Sequence, residues 1–141
     1  MHKLLLVFTL VAVSPLFMYM SCKDSTVKAP GPCTEPVMCT QMFAMVTAQV
    51  VDAVGNPVKL DEAYTVRAGT SDKITSSQEP GMNNAYVVLD DSYQKKLAQT
   101  TAAFRFVGMK DGKKVVDEPY TISADCCHIK KESGPTTITI Q

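Results

Sequence analysis

The fold is decided by residues 102–117, which read AAFRFVGMKDGKKVVD. Phe104 and Phe106 alternate with Arg105, and this period of two is typical of a strand with one buried face. Asp111-Gly112 is a strong signal for a two-residue hairpin turn, because both residue types tolerate a positive φ. The stretch therefore predicts that residues 104–110 pair antiparallel with residues 113–117.

Further short runs of β-branched and aromatic residues surround this hairpin. In the run 45–51, the side chains of Val46, Ala48 and Val50 share one face. Residues 69–84 are expected to form a polar loop, and Asp91-Ser92 are expected to cap one short helical turn over residues 93–97. The other predicted strands are 64–68, 86–89, 120–124 and 136–140.

These strands together indicate the fold class. About seven short strands with frequent turn signals favour an all-β fold, an antiparallel Greek-key β-sandwich of immunoglobulin-like or transthyretin-like type. Large apolar side chains on the strands are expected in the core or on a sheet face. The expected aromatic residues are Tyr64, Tyr86, Phe104, Phe106 and Tyr120, with an exposed tyrosine platform for a glycan or peptide as the alternative. The expected core-filling methionines are Met38, Met42 and Met45, with a face that binds a soft metal as the alternative.

Composition limits the classes of function. The chain has 141 residues, of which 45% are apolar, and its 14 basic side chains balance 14 acidic ones. This length suits one ordinary domain, and the zero formal charge gives no basic surface for nucleic acid. No nucleic-acid partner is therefore expected.

The first 21 residues are set apart from the fold, because targeting segments imitate structural elements. His2 and Lys3 make a short basic start, and residues 4–20 are apolar and uncharged, with Pro15 in the middle disfavouring a continuous helix. At Ser21-Cys22 a small residue precedes a cysteine, and a polar, charged stretch follows. These residues resemble a bacterial lipoprotein signal; cleavage of an ordinary secretory signal nearby is the alternative.

This resemblance implies that Cys22 becomes the first mature residue and carries the lipid. Lys23-Asp24-Ser25 is similar to the signal that sends lipoproteins of some Gram-negative bacteria to the outer face of the outer membrane. Residues 23–32 contain prolines and glycine without apolar periodicity, which is typical of a tether. The expected organisation is a signal peptide at 1–21, a lipidated tether at 22–32 and a β-sandwich domain at 33–141.

A second resemblance covers about twenty residues of the domain. Residues 49–58, which read QVVDAVGNPV, and the following residues 63–66 are similar to the opening of carboxypeptidase regulatory-like domains, a transthyretin-like β-sandwich family. Members begin with a strand, an aspartate, a glycine-proline turn and a second strand. The resemblance implies an accessory module without an active site.

Four cysteines besides Cys22 indicate disulfides, because their number is even and the chain is expected to be exported. If residues 120–124 alternate, Cys126 and Cys127 continue the strand and point to opposite faces, so they should not pair with each other. Each is then expected to bind one of Cys33 and Cys39. Spacing leaves both cross-linked pairings open.

Weaker constellations offer alternatives to disulfides. Cys126, Cys127 and His128, together with Asp125, supply thiolate and imidazole ligands that suit copper(I) or zinc. Two other candidate sites would require residues that are distant in sequence to lie close together. One is a calcium site formed by Asp90 and Asp91 with Asp52 or Asp125. The other is a nucleophilic triad of His128, an acidic residue and either Ser123 or Ser133.

The sequence favours a protein that is not an enzyme and needs no cofactor or resident metal. Its expected role is a lipid-anchored module of the cell envelope, placed by its anchor in the outer membrane, with exposure on the cell surface as a further expectation. It would bind a protein or polysaccharide, or support a surface assembly. The alternative function is an envelope copper-binding, zinc-binding or thiol protein that uses Cys126, Cys127 and His128.

Overall fold

A computed structural model describes Cys33 and residues 37–74, 80–97 and 99–141. The signal peptide, the tether and Cys22 lie outside these described residues. Within them, no helix is both long enough and apolar enough to cross a lipid bilayer. The strands are β1 Met45–Val51, β2 Glu62–Arg67, β3 Lys73–Ile74, β4 Ala85–Asp90, β5 Thr101–Lys110, β6 Lys113–Ala124, β7 Ile129–Ser133 and β8 Thr137–Thr139.

The strands form two sheets, which confirms the predicted all-β sandwich. One sheet has the order β4-β1-β8 and the other has the order β3-β2-β5-β6-β7. A short 3-10 turn at Met82–Asn84 precedes β4. Between β4 and β5 lie a second 3-10 turn at Asp91–Tyr93 and one α-helical turn, α1, at Gln94–Leu97. The single helical turn expected after residue 91 is therefore present.

One pair of strands departs from the antiparallel pattern. β8 pairs with β1 in parallel, with Gln49 opposite Thr137 and Val51 opposite Thr139. The reason is that Gly134-Pro135 carries the chain from the five-stranded sheet to the three-stranded sheet without reversing its direction. Backbone bonds from Gln49 N to Thr136 O (2.9 Å) and from Ile140 N to Val51 O (2.8 Å) join the two strands.

The predicted hairpin between β5 and β6 is confirmed. Lys110 lies opposite Lys113, and the turn residues Asp111 and Gly112 both have positive φ, at 50° and 71°. The two strands expected at 113–117 and 120–124 are instead one continuous strand. Pro119 is tolerated because β7 pairs only with β6 from Thr121 onward. At the proline, β6 pairs with β5 alone, so its other edge needs no backbone N–H.

The core forms where the alternating strands face each other. Val46, Ala48 and Val50 are buried on β1, and Phe104 and Phe106 are buried on β5 while Arg105 is exposed. Burying a valine or phenylalanine side chain completely contributes about 1.5 to 3 kcal/mol to folding, relative to leaving it exposed. The remaining buried residues of the core include Leu60, Tyr86, Val88, Leu89, Leu97, Val116, Tyr120, Ile122, Ala124, Ile129 and Ile138.

Two strands were not expected from the sequence. The two-residue β3 lies inside the predicted polar loop, where it pairs with the end of β2. β7 has only Ile129 buried, followed by Lys130, Lys131, Glu132 and Ser133. Because neither strand shows an apolar alternation, periodicity gives no signal for them.

The ends of the strands define the two ends of the sandwich. β1 and β5 begin at one end, where β4 and β6 finish; we call this the cysteine end. β1 and β5 finish at the opposite end, next to the Asp111-Gly112 turn; we call this the hairpin end. The two ends are about 20 Å apart, since a strand of seven residues rises about 3.3 Å per residue.

Candidate functional site

Two disulfides hold the segment that precedes β1 against the cysteine end. Cys33 bonds to Cys126 and Cys39 bonds to Cys127, with Cα–Cα distances of 5.8 and 5.3 Å. The expected cross-linked arrangement is confirmed. The structure has one of the two pairings that the sequence left open. We call residues 37–44 the strap.

Cys126 and Cys127 lie in a turn and do not continue the strand, so the expectation that they point to opposite faces of one strand is wrong. β6 ends at Ala124, and the backbone N–H of Asp125 donates to His128 O at 3.0 Å. Asp125 Oδ1 accepts the N–H groups of Cys127 (2.7 Å) and His128 (2.8 Å), which also hold the pKa of Asp125 below its usual value. This side chain replaces ladder hydrogen bonds and bends the chain.

Asp91 is the hub that joins the strap to both sheets. Its Oδ2 accepts the N–H of Ala44 at 2.7 Å and lies 2.7 Å from His128 Nδ1, while its Oδ1 accepts the N–H of Ile129 at 2.8 Å. The side chain is only 10% exposed. Burial alone raises the pKa of Asp91, but the hydrogen bonds from Ala44, Ile129 and His128 outweigh it and lower the pKa.

His128 links this hub to the strap through its second ring nitrogen. Its Nε2 lies 2.9 Å from the hydroxyl oxygen of Thr40. With neutral His128, Nδ1–H donates to Asp91 and Nε2 accepts from Thr40; with protonated His128, both nitrogens donate. The connectivity is that of an acid, a base and a hydroxyl, with Thr40 in place of the predicted serines. Ser123 donates to Glu132 Oε1 at 2.7 Å instead.

The metal alternatives are not assembled by these residues. Zinc and copper(I) sites use thiolates, whereas the four sulfur atoms here are joined in disulfides, and both nitrogens of His128 have partners. Asp52 lies at the hairpin end, where it accepts the N–H groups of Val54 (2.9 Å) and Asn56 (2.8 Å), so it cannot join Asp90 and Asp91 in a calcium site. Across the described residues, no cluster of three or more His, Cys, Asp or Glu side chains is suited to a metal ion.

The prediction that Met38, Met42 and Met45 fill the core is wrong. Met38, Met42 and Met45 are all largely exposed, and so are Val37 and Phe43 beside them. The physical reason is that the disulfides and Asp91 draw the backbone of the strap onto the sandwich, which leaves these side chains pointing outward.

A groove of about 590 Å³ opens at the hairpin end. Its apolar lining comes from Val54, Val58, Val115 and Ile140, and Lys113 and Asp111 stand among its polar residues. Sequence reasoning missed this groove, because its walls come from three distant segments: the turn after β1, the hairpin turn and the residues that follow β8.

Comparisons with protein-family models, curated proteins and solved structures find no match for this chain.

Proposed function

We propose that the protein is a non-catalytic, lipid-anchored module of the bacterial cell envelope. Cys22 carries the lipid, and the β-sandwich binds a partner outside the membrane. Two disulfides in a domain of this size support a location in an oxidising compartment, because such bonds are rare in the cytosol. The Lys23-Asp24-Ser25 signal favours the outer membrane and its outer face.

The observation that carries this proposal is the opposed placement of the tethered end and the groove. The Cys33–Cys126 bond fixes the start of the domain to the cysteine end, so a tether that begins at Cys22 reaches the sandwich there. The groove lies at the hairpin end, about one strand length away. An anchored domain of this design holds its groove away from the bilayer, where a partner can reach it.

The lining of the groove favours a protein segment over a polysaccharide. Val58, Val115 and Ile140 supply an apolar floor, while Lys113 and Asp111 offer both signs of charge at its edge. Among its lining residues there is no aromatic ring of the kind that stacks on the face of a sugar. We therefore propose a peptide segment with an apolar side chain as the ligand, with a polysaccharide as the alternative.

The turn that borders the groove supports the carboxypeptidase regulatory-like assignment, which is part of the proposal. Asp52 closes the turn through its bonds to Val54 and Asn56, and Val51 forms an isolated bridge with Pro57. This is the strand, aspartate, glycine-proline turn that the family resemblance rests on. Accessory modules of this family are non-catalytic, in keeping with the proposed role.

The anchor is tested with Cys22→Ala in the full chain, expressed in the native bacterium and labelled with an alkyne fatty acid. We expect loss of the label and loss of membrane fractionation. A chain with both Cys33→Ser and Cys126→Ser is the matched control, since it also loses cysteines but keeps Cys22. Unchanged labelling of Cys22→Ala would refute the lipid anchor.

The groove is tested by placing a photo-crosslinking residue at Val54, which is exposed at the hairpin end, and at Lys95, which is exposed on α1 at the cysteine end. In intact cells, Val54 should give a discrete adduct that Lys95 does not give. Protease sensitivity of the adduct separates a protein ligand from a polysaccharide. Identical adducts at both positions, or none at Val54, would refute binding in the groove.

A further inference from the structure

The exposed apolar side chains of the described residues are concentrated at one place. Of six large hydrophobic residues that stand out as exposed, five fall within residues 37–45: Val37 (48%), Met38 (97%), Met42 (76%), Phe43 (61%) and Met45 (53%). The sixth, Val54, belongs to the groove. Scattered exposed apolar residues need no explanation, but five of them within nine consecutive residues point to a contact surface.

This surface is held in place before it meets any partner. The Cys39–Cys127 bond, the hydrogen bond between Thr40 and His128, and the bond from Ala44 N to Asp91 fix the strap at three successive points. Its side chains therefore project from a backbone that is already ordered. Little further backbone ordering is needed when they bind, which favours association.

The strap and the adjoining Met45 carry no charge. Residues 37–45 read VMCTQMFAM, without a lysine, arginine, aspartate or glutamate. A charged side chain is costly to move out of water, whereas methionine and phenylalanine gain from the transfer. The composition suits contact with an apolar or interfacial phase.

The bilayer is the apolar phase that the chain itself brings near. Cys22 stands eleven residues before Cys33, and a chain of that length spans at most about 40 Å when fully extended. Tethering converts contact between strap and membrane into an intramolecular event with a high effective concentration. This step rests on the proposed lipid anchor at Cys22.

We propose that residues 37–45 form a membrane-contacting surface, which places Met38, Met42 and Phe43 in the interfacial layer of the leaflet that holds the Cys22 lipid. Lipid and strap then act as two attachment points, and together they orient the sandwich with its groove facing away from the membrane. A few interfacial side chains bind weakly alone, so the strap reinforces the lipid and does not replace it.

The chain contains no tryptophan, so a single introduced tryptophan reports its own surroundings. The lipidated full chain with Phe43→Trp is reconstituted into phosphatidylcholine vesicles, with or without bromine on the lipid acyl chains. We expect a blue-shifted emission and loss of most of it in brominated lipid. Val54→Trp, an exposed apolar position at the opposite end, is the matched control and should keep a solvent-like emission without quenching. Met42→Trp gives an independent reading on the strap.

The outcomes separate this inference from the anchor. Solvent-like, unquenched emission from Phe43→Trp and Met42→Trp in a chain whose mass includes the lipid would overturn the membrane surface and leave the anchor intact. Emission that stays solvent-like on pure lipid but shifts on native envelope vesicles would also overturn it and assign the strap to a protein partner. If Cys22 carries no lipid in cells, the same chain coupled through Cys22 to a maleimide lipid in the vesicles still decides the strap: quenching supports the surface, and its absence overturns it.

Discussion

The carboxylate of Asp91 lies 2.7 Å from Nδ1 of His128, and this contact joins the end of β4 to the turn between β6 and β7. The same carboxylate accepts the backbone N–H of Ala44 in the strap and of Ile129 at the start of β7. One largely buried side chain thereby connects three segments that are distant in sequence. Its neighbour Asp90 has a local task, because its Oδ1 caps the following turn by accepting Ser92 N.

Asp91→Ala should destabilise the domain by about 2 to 4 kcal/mol, because the N–H groups of Ala44 and Ile129 lose their acceptor in a largely buried place. Asp90→Ala is the matched control and should cost about 1 kcal/mol, the usual effect of losing a helix cap. Urea unfolding measures both variants. Equal destabilisation by the two substitutions would contradict the role of Asp91 as a hub.

The two disulfides should contribute non-additively to stability. With Cys33–Cys126 intact, Cys39–Cys127 closes a ring of only about nine residues, whereas alone it closes a loop with a separation of 88. In the chain-entropy relation, removing either bridge should cost about 2.5 kcal/mol and removing both should cost about 7 kcal/mol. Serine pairs at 33/126, at 39/127 and at all four positions are compared by urea unfolding. A combined loss equal to the sum of the two single losses would contradict this coupling.

The parts of the fold that the sequence predicted are those set by neighbouring residues. The hairpin followed from Asp111-Gly112. The buried faces of β1 and of the first part of β5, around Phe104 and Phe106, followed from the alternation of side chains. The parallel pairing of β1 with β8 could not be predicted in this way. It depends on how Gly134-Pro135 crosses between the sheets, and the spacing of apolar residues along the chain gives no information about that crossing.

The candidate site was predictable only in its cysteines. Their even number and the expected export of the chain indicated disulfides, whereas the link between Asp91 and His128 spans 37 positions and has no motif. The exposure of the methionines in and next to the strap could not be predicted for a related reason. Methionines next to a strand are usually core residues, and only the disulfides and Asp91 turn these side chains outward.

Gly134→Ala should be one of the most damaging small substitutions, because Gly134 has a φ of +120° and a Cβ there would lie 2.3 Å from Tyr120 Cδ1. Tyr120 cannot easily move, since it is buried and its hydroxyl donates to Pro135 O at 2.7 Å. Gly69→Ala is the control, as Gly69 also has a positive φ but has open space for a Cβ. Both variants bear the strain of about 1 to 2 kcal/mol for the left-handed backbone, and Gly134→Ala bears about 1 to 3 kcal/mol more for overpacking. Equal thermal midpoints for the two variants would argue against the clash with Tyr120.

Asp117 should give the domain part of its stability at neutral pH and lose it in acid. Hydrogen bonds from Arg105 Nε (2.6 Å) and then from Lys114 Nζ (2.5 Å) lower the pKa of Asp117 from 3.8 to about 2. Because the folded pKa is the lower one, the contribution is complete above pH 3.8 and disappears as the pH falls to about 2. The pair is partly exposed, so we expect a contribution below about 1 kcal/mol that 1 M salt reduces.

Asp117→Asn should therefore be slightly less stable than the wild type at pH 7 and equal to it near pH 2. Its free energy of unfolding, measured with urea, should change less steeply between pH 4 and pH 2, since asparagine binds no proton in this range. Arg105→Gln removes the first partner and leaves the carboxylate, so it should show an intermediate slope. A slope for Asp117→Asn as steep as that of the wild type would mean that other carboxylates govern the acid limb of stability.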